Sequence, residues 1–460
     1  MPTIRLDSFG GILPRAHPTL LPEGCATRAH NCRLKSGKLS PLREPALVGA
    51  AMVRQEAGLG RIADARSLYL WRRGGVAEFL AFPGLVTVVR GNIADDEKDR
   101  LFVTGQTGVG GNLPCLYASE GGAMVRHPIT KSKMAAPVVS RTDERPLDEL
   151  NLRYTVFYQT WVDRFGYMSG LSAPSSNKVD DDDDGTFEYN DGDEVTVGEA
   201  ADQGGAVRRR IYKLVTGFET QSVQFVVEQE ASGEGFGPLT FRVPDEDAGG
   251  VVPRFESPPD DLDLMTPVPG GFYCGVSGSR RRTLMFSEVN APTSWPEAYQ
   301  YDVDDDIVGV GVAGNTVYVL TAGMPWAVSG THPDGMVCMK IPCDQACVSR
   351  RGICVMESGV FYPSHDGIVM LAPELGASAR VITEKHWSKR EWADMNPSSC
   401  VMAPYDGALH AWFNTGSGLA GYIIDLREGL AAITTHDEVA RAVCYDGVDD
   451  ALYYVRRKVE

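Results

Sequence analysis

The chain has little of what marks a secreted, membrane-spanning, metal-binding or nucleic-acid-gripping protein. Its opening, MPTIRLDSFGG, has no basic segment leading into an apolar run, so no signal peptide is expected. No apolar stretch approaches the roughly 18 residues that cross a bilayer as a helix, so no membrane-spanning segment is expected either. Ten cysteines in 460 residues are too sparse for a disulfide scaffold. Cys338, Cys343, Cys347 and Cys354 lie close together, but their gaps do not make the paired CxxC knuckles of a zinc site, and they read as thiols on strands. None of the eight histidines is paired at metal-ligand spacing. Positive charge is in deficit, 44 Lys and Arg against 61 Asp and Glu, for a net −17. That excludes a surface-wide grip on duplex nucleic acid, but not a protein that nucleic acid merely passes. Helical periodicity is scarce as well; TEKHWSKREWADM, Thr383 to Met395, is the one short helix that the pattern supports. These features point to synthesis in a reducing cytoplasm.

Turn residues are plentiful. Gly 50 and Pro 28 punctuate short alternating runs, the texture of an all-β chain. The runs also repeat. GGFYCGVSG, AGNTVYVLTAG, ESGVFYPSHDG, YDGALHAWFN and YDGVDDALYYVRR share a small turn followed by an apolar strand. Their turn glycines, Gly271, Gly314, Gly359, Gly407 and Gly447, are spaced by 43, 45, 48 and 40 residues. Four short strands per roughly 40 to 50 residues is the period of β-propeller blades. From about residue 150 to 245 the texture changes to longer strands, with alternation in Tyr154, Val156, Tyr158 and Thr160 and again in Val195, Val197, Ile211 and Leu214. This stretch reads as an inserted immunoglobulin-like β-sandwich between Pro- and Asp-rich linkers. The expected organisation is an extended amino-terminal arm (1–45), the first part of a propeller (46–149), the inserted sandwich (150–245) and the remainder of the propeller (246–460).

The acidic run Asp180 to Asp184 with Gly185 matches positions of an EF-hand loop, yet it is followed by a strand pattern and ends on Asp191 rather than Glu. A solvated hairpin tip is the expectation. SHDG, Ser364 to Gly367, places Ser, His and Asp too close in sequence to converge as a triad. TGVGGN, from Thr107, lacks the lysine of a phosphate loop. FSEVNAPTSW, from Phe286, is only superficially like the Asp-box of sialidase propellers, whose Asp and Gly are missing. Asp302, Asp304, Asp305 and Asp306 are the best carboxylates for an enzyme reading, a propeller glycosidase or polysaccharide-degrading tail enzyme, though beside a strand start they read first as turn residues. No catalytic, cofactor-binding or metal-ligating residue is expected, and the chain is read as no enzyme.

The amino-terminal stretch DSFGGILPRAHPTLLPEGCATRAHNCRLKSGKLSPLREP resembles the opening of tail tubular (nozzle) proteins of short-tailed bacteriophages, through Gly10-Gly11, Pro18, Leu20-Leu21-Pro22, Gly24, Ala26, Asn31, Gly37, Leu39 and Pro41. YTVFYQTWVDRFGYMSGLSAPSS followed by RRRIYKLV is similar to the fibronectin-type-III-like module of such virion proteins, and LMFSEVNAPTSWPEA to a phrase of their propeller part. The resemblance implies a structural subunit made in the host cytoplasm and resident in the virion tail. It implies a homohexameric ring below portal and adaptor, near tail fibre or spike proteins, that extends the DNA-ejection channel. Phage DNA would pass without specific binding. Arg208, Arg209, Arg210, Arg280, Arg281 and Arg282 are then candidates for contacts with a neighbouring subunit or the adaptor; solvated strand ends are the plainer reading. The proline-rich arm, with Ile4, Leu6, Phe9, Ile12, Leu13, Leu20 and Leu21, is too apolar to hang free and is expected to lie against the propeller or a neighbour. A last arm strand near Leu39 to Val48 is expected to complete a blade.

Overall fold

The computed structural model describes residues 9–35, 38–49, 52–54, 59–73, 76–91, 99–108, 115–117, 125–126, 135–142, 146–164, 166–177, 186–190, 192–201, 206–216, 221–233, 235–243, 256–373, 379–415, 418–427 and 430–456. The protein is all-β: among these residues there are many strands and a single α-helix of 6 residues, Lys389–Asp394. That helix lies inside the segment whose periodicity called for one. It starts on a capping box in which Ser388 and Glu391 satisfy each other's backbone N–H, and it buries Trp392. The acidic run 180–184 lies outside the described residues.

The chain divides into two compact units, one of residues 1–124, 263–284 and 301–460, the other of residues 125–262 and 285–300. In the first unit the strands form consecutive antiparallel meanders. The first sheet is Ser67–Arg73 with Val76–Phe82, and the second is led by Val86–Arg90, Leu101–Gly105 and Cys115–Tyr117. The third runs Leu262–Val268, Phe272–Ser277, Thr283–Phe286, Gln300–Asp302, and the fourth Ile307–Ala313, Thr316–Thr321, Trp326–Ser329, Val337–Lys340. The fifth is Cys354–Met356, Gly359–Pro363, Ile368–Leu371, Ala379–Val381; the sixth is Val401–Tyr405, Ala408–Thr415, Gly418–Arg427, Leu430–His436. Ala440–Asp446 pairs with Ala451–Arg456 as the seventh. The repeat seen in the sequence has a topological meaning here. All five repeat glycines sit at the turn between the first and second strands of sheets three to seven. Gly314 (φ +59°) and Gly407 (φ +74°) show why a glycine recurs there, since tight antiparallel turns require left-handed backbone.

Each sheet packs on the next. Trp71, Leu80 and Phe82 of the first share a core with Leu101 and Val103 of the second. Phe102 and Tyr273 meet between the second and third, and the Tyr301 hydroxyl of the third donates to the Pro333 carbonyl at 2.8 Å. Tyr318 and Leu320 pack with Val360 and Tyr362, Phe361 with Leu409 and Phe413, and Trp412 with Ala440. The seventh sheet then returns to the first, through Ala442 and Val455 against Ala81 and Ala65. Strands covered on both faces, such as Phe272–Ser277, Thr316–Thr321 and Gly359–Pro363, are buried along their whole length, whereas Ile307–Ala313 buries every second residue.

The second unit has a four-stranded sheet, Ser176–Asn177, Val138–Arg141, Glu194–Val197 and Leu239–Arg242, and a three-stranded one, Phe157–Asp163, Ala206–Thr216 and Gln221–Glu230. Val139, Phe157, Phe187, Val195, Val197 and Ile211 form its core. The strand predicted through Tyr154 to Thr160 is broken at Val156: Leu152–Thr155 pairs with Phe187–Asn190, while Phe157–Asp163 pairs with Ala206–Thr216. The alternation is not kept along it either: Thr160 is buried, and so are its neighbours Gln159 and Trp161. Tyr154 is 59% exposed, whereas Phe157 and Trp161 are buried, because the bulkier rings claim the core.

Candidate assembly interface

The amino-terminal arm is the segment with the most unusual local chemistry. It folds back on itself and docks on the edge of the sixth sheet. Gly11 pairs in parallel with both Cys25 and Ile433, and Ile12 with Ala26. Ile12 enters a core of Leu409, Ile424, Ile433 and Trp387. Gly11 has φ +78°, and a Cβ there would lie 2.3 Å from the Ile433 carbonyl oxygen, so only glycine lets the arm approach this closely. Gly10 N–H donates to the Gly24 carbonyl at 2.8 Å, folding the arm back into a compact loop.

A second set of contacts fixes residues 29–35. Thr435 N–H donates to the Ala29 carbonyl at 2.9 Å and Asn31 N–H to the Thr435 carbonyl at 2.7 Å. Asn31, in left-handed backbone at φ +52°, also donates its side-chain amide to Asp437 Oδ2 at 2.8 Å. The His30 ring lies between Thr435 Oγ1 (2.9 Å) and Asp437 Oδ1 (3.0 Å). Hydrogen bonds from Asn31 and His30 hold the Asp437 carboxyl below its usual range. Arg33 and Lys35 both clasp Asp406, and Arg33 lies 5.6 Å over the Tyr405 ring. Burial pushes the Asp406 carboxyl up, but the bonds from Lys35 and Arg33 outweigh it and leave it lowered. Between this clasp and the sheet is a small recess of about 10 Å³, partly open to solvent, lined by Leu34, Ile423, Asp425 and Thr434 among others.

The arm therefore does lie against its own first unit, but not as expected in detail. The segment Leu39 to Val48 completes no sheet: only Ser40–Pro41 pairs, with Cys32–Arg33. Leu39, Leu47 and Val48 are 53%, 100% and 37% exposed, and Leu20 is 76% exposed. The strand-forming residues are instead Gly11–Ile12 and Cys25–Ala26, and the glycine lets the first of these add in parallel to the sheet edge.

The two arginine clusters are placed very differently. Arg209 is a correction to the interface reading: it is 1% exposed and turned into the second unit. Strand alternation puts it on the same side as Ile211, where its Nε donates to Gln159 Oε1 (2.9 Å) and Nη1 to the Gly198 carbonyl (2.8 Å). The guanidinium sits 5.7 Å over the Trp161 ring, and burial lowers its pKa to about 10, so it keeps its charge at neutral pH. Arg208 and Arg210 point the other way and share Glu228 on the adjacent strand, at 3.3 and 2.6 Å. In the second cluster Arg280 is exposed, and Arg282 pairs at the surface with Asp306 at 3.0 Å. Arg281 instead joins Arg350 on Asp263 Oδ2, at 3.1 and 2.8 Å, and Arg350 continues to Thr87 Oγ1 at 2.9 Å. That carboxylate ties segments far apart in sequence, which no local pattern could have announced.

The acidic turn Asp302 to Asp306 lies between Gln300–Asp302 and Ile307–Ala313. Each carboxylate has its own business: Asp302 accepts from Thr283 Oγ1 at 2.7 Å, Asp304 pairs with Lys340, and Asp306 with Arg282. The Ser364 hydroxyl donates to the Gly367 carbonyl and shapes a turn, with Asp366 N–H returning to Ser364 Oγ. Cys347, Cys354 and Cys400 are buried thiols whose pKa values burial raises, to about 12 for Cys347 and Cys354. Among the described residues no group of three His, Cys, Asp or Glu side chains could hold a metal ion, and no helix is long and apolar enough to cross a membrane.

No family model and no curated protein matches the chain. Solved structures are similar to it in part. A functionally unknown protein from Desulfotomaculum acetoxidans is 9% identical over 54% of this chain and 68% of that one, with a TM-score of 0.25. Sqt1 from Chaetomium thermophilum is 8% identical over 78% and 72%, with a TM-score of 0.27. AztD from Citrobacter koseri, in its apo form, is 10% identical over 65% and 76%, with a TM-score of 0.29. Likenesses this low carry no functional argument.

Proposed function

We propose that the chain is a structural subunit of the tail nozzle of a short-tailed bacteriophage, one of six copies in a ring that extends the DNA-ejection channel below portal and adaptor. The observation that supports this reading most is the physical sense of the amino-terminal resemblance. Gly10, Gly11, Gly24 and Asn31 are the arm residues whose close approach, left-handed backbone or amide contact the docking needs. In this reading the seven sheets of the first unit are the blades of a β-propeller, its last sheet closing on its first. The second unit is the fibronectin-type-III-like sandwich.

A closed ring of sheets supplies a stiff wedge, and the sandwich supplies a second surface for neighbours, the adaptor or tail fibres. With −17 per copy, six copies carry 6 × −17 = −102. Charge of that sign repels phosphates and supplies no counterion-release term, so DNA slides. Arg208, Arg210, Arg280 and Arg282 remain as surface cations for subunit or adaptor contacts. Mass spectrometry of purified virions together with cryo-EM of the tail tests the proposal: the protein is expected in six copies per particle, and its absence from the particle overturns the reading. If the chain instead degrades glycans, turnover by the purified protein would be lost on Asp304→Ala or Asp306→Ala.

A further inference from the structure

The sixth sheet carries three buried polar rings that its own protein neighbours leave incomplete. His410 and Trp412 alternate on Ala408–Thr415, and His436 ends Leu430–His436. Gly421 stands between them: it pairs with Trp412 on one side and His436 on the other. Having no side chain, it lets the two rings face each other across the central strand; a Cβ there would come within 2.6 Å of His436 Cε1. The three ring centroids make a nearly equilateral triangle, 6.1 Å from His410 to Trp412, 6.1 Å from His410 to His436 and 6.0 Å from Trp412 to His436. His410 and His436 are each 6% exposed and Trp412 2%. Among the described residues no hydrogen-bond partner reaches His410 Nε2, Trp412 Nε1, or either His436 nitrogen.

Four unpartnered nitrogens in one buried cluster are out of character for a native interior, where such groups nearly always find protein or water. Distance selects the partner. A ring nitrogen lies about 1.1 Å from its centroid and a good bond adds about 2.9 Å, so two imidazoles sharing one tetrahedral oxygen have centroids about 6.5 Å apart. The observed 6.1 Å needs only a slightly narrower angle at the oxygen, about 100°. A water also meets the chemistry, because the indole only donates whereas each neutral imidazole donates once and accepts once. A divalent metal does not fit: two imidazoles without a carboxylate or thiolate would leave its charge uncompensated in a buried site. The charged groups nearest the cluster are Arg33 and Asp406 on the His410 side and Asp437 with His30 on the His436 side, and they are occupied with one another.

We infer that His410, Trp412 and His436 form a built internal hydration site, holding at least one ordered water that bridges the two imidazoles and the indole. It lies within the sheet on which the arm docks, and His436 is flanked in sequence by Thr435 and Asp437, the residues that hold His30. The water thus completes the sheet edge that receives the arm. The site does not depend on the nozzle reading.

The test is an experimental structure of the full chain at a resolution that shows ordered waters elsewhere in its interior. Density for a water within hydrogen-bond distance of His410 Nε2 and of His436 or Trp412 is the expected result. A dry cluster among otherwise visible buried waters overturns the inference. In parallel, the melting temperature is followed in zinc, nickel and copper salts and in EDTA. No metal-dependent change is expected; a rise that His410→Phe abolishes would assign the site to a metal and overturn the water.

Discussion

The buried imidazoles give the protein a specific acid sensitivity whose size follows from their burial. Desolvation lowers His410 to about 3, with the nearby His436 and Arg33 adding to it, and lowers His436 to about 4. In the unfolded chain both titrate near 6.5. Above that value both are neutral in either state and contribute no pH dependence. Below it the unfolded chain takes up protons that the folded chain refuses, so stability falls with pH until the folded values are reached. At pH 5 each histidine costs about 2 kcal/mol relative to pH 8, about 4 kcal/mol together. Against a total of about 5 to 15 kcal/mol for a domain, that is a large share. The assay is urea unfolding of the full chain between pH 8 and pH 5, beside a His410→Gln, His436→Gln double variant. Asp406, Asp437 and the other depressed carboxylates are common to both proteins, so the difference in slope isolates the imidazoles. The wild type should lose about 4 kcal/mol more than the variant over this range. Equal slopes would refute the argument, for then burial does not keep the two imidazoles from taking up protons in the fold.

Gly11→Ala should release the arm without unfolding the unit, because it forces a side chain into left-handed backbone and against the Ile433 carbonyl; hydrogen exchange at residues 10–35 should rise while that of Val401–Tyr405 stays protected. Arg209→Ala should destabilise the second unit by about 3 kcal/mol, since it strands the Gln159 and Gly198 acceptors, whereas the same change at exposed Arg282 should cost less than about 0.5 kcal/mol; chemical unfolding of each variant checks both. EDTA should leave the melting temperature unchanged, as the Asp180 to Asp184 run is followed by a strand, Glu194–Val197, where an EF-hand has its second helix; a drop that calcium restores would show otherwise.

How much of this was legible in the chain depends on how local each feature is. The turn glycines and their spacing were readable because a tight turn is decided by a few adjacent residues. The short helix within Thr383 to Met395 was readable for the same reason. Arg209 was misread because three consecutive arginines look like surface, although parity with Ile211 on one strand already set the middle one inward. The break at Val156 was not readable, since alternation continues across it and only the partner strands differ. The arm's anchors, Asp406 and Asp437, lie about 370 to 410 residues from the groups they hold, and no pattern within a window could pair them. Asp406 did show itself as part of the repeated YDG turn, but as a turn residue and nothing more.

That separation also orders the folding of the protein. The arm is synthesised roughly 400 residues before its docking edge, Leu430–His436. Closing a loop of about 400 residues costs only a few kcal/mol more than closing a short one, so the delay is kinetic rather than a matter of final stability. The edge itself exists only once Gly418–Arg427 has paired with Leu430–His436 and the sixth sheet has packed on Phe361. Arm docking is therefore expected to follow completion of the sixth sheet. In the nozzle reading this lets a finished subunit be told from an unfinished one. Pulse-labelled hydrogen exchange during refolding measures the order directly. Amides of Gly11, Asn31 and Thr435, which lie in the docked junction, should gain protection after those of Ala408–Thr415. If Gly11 and Asn31 are protected first, the arm folds on something other than this edge, and the coupling between docking and completion is wrong.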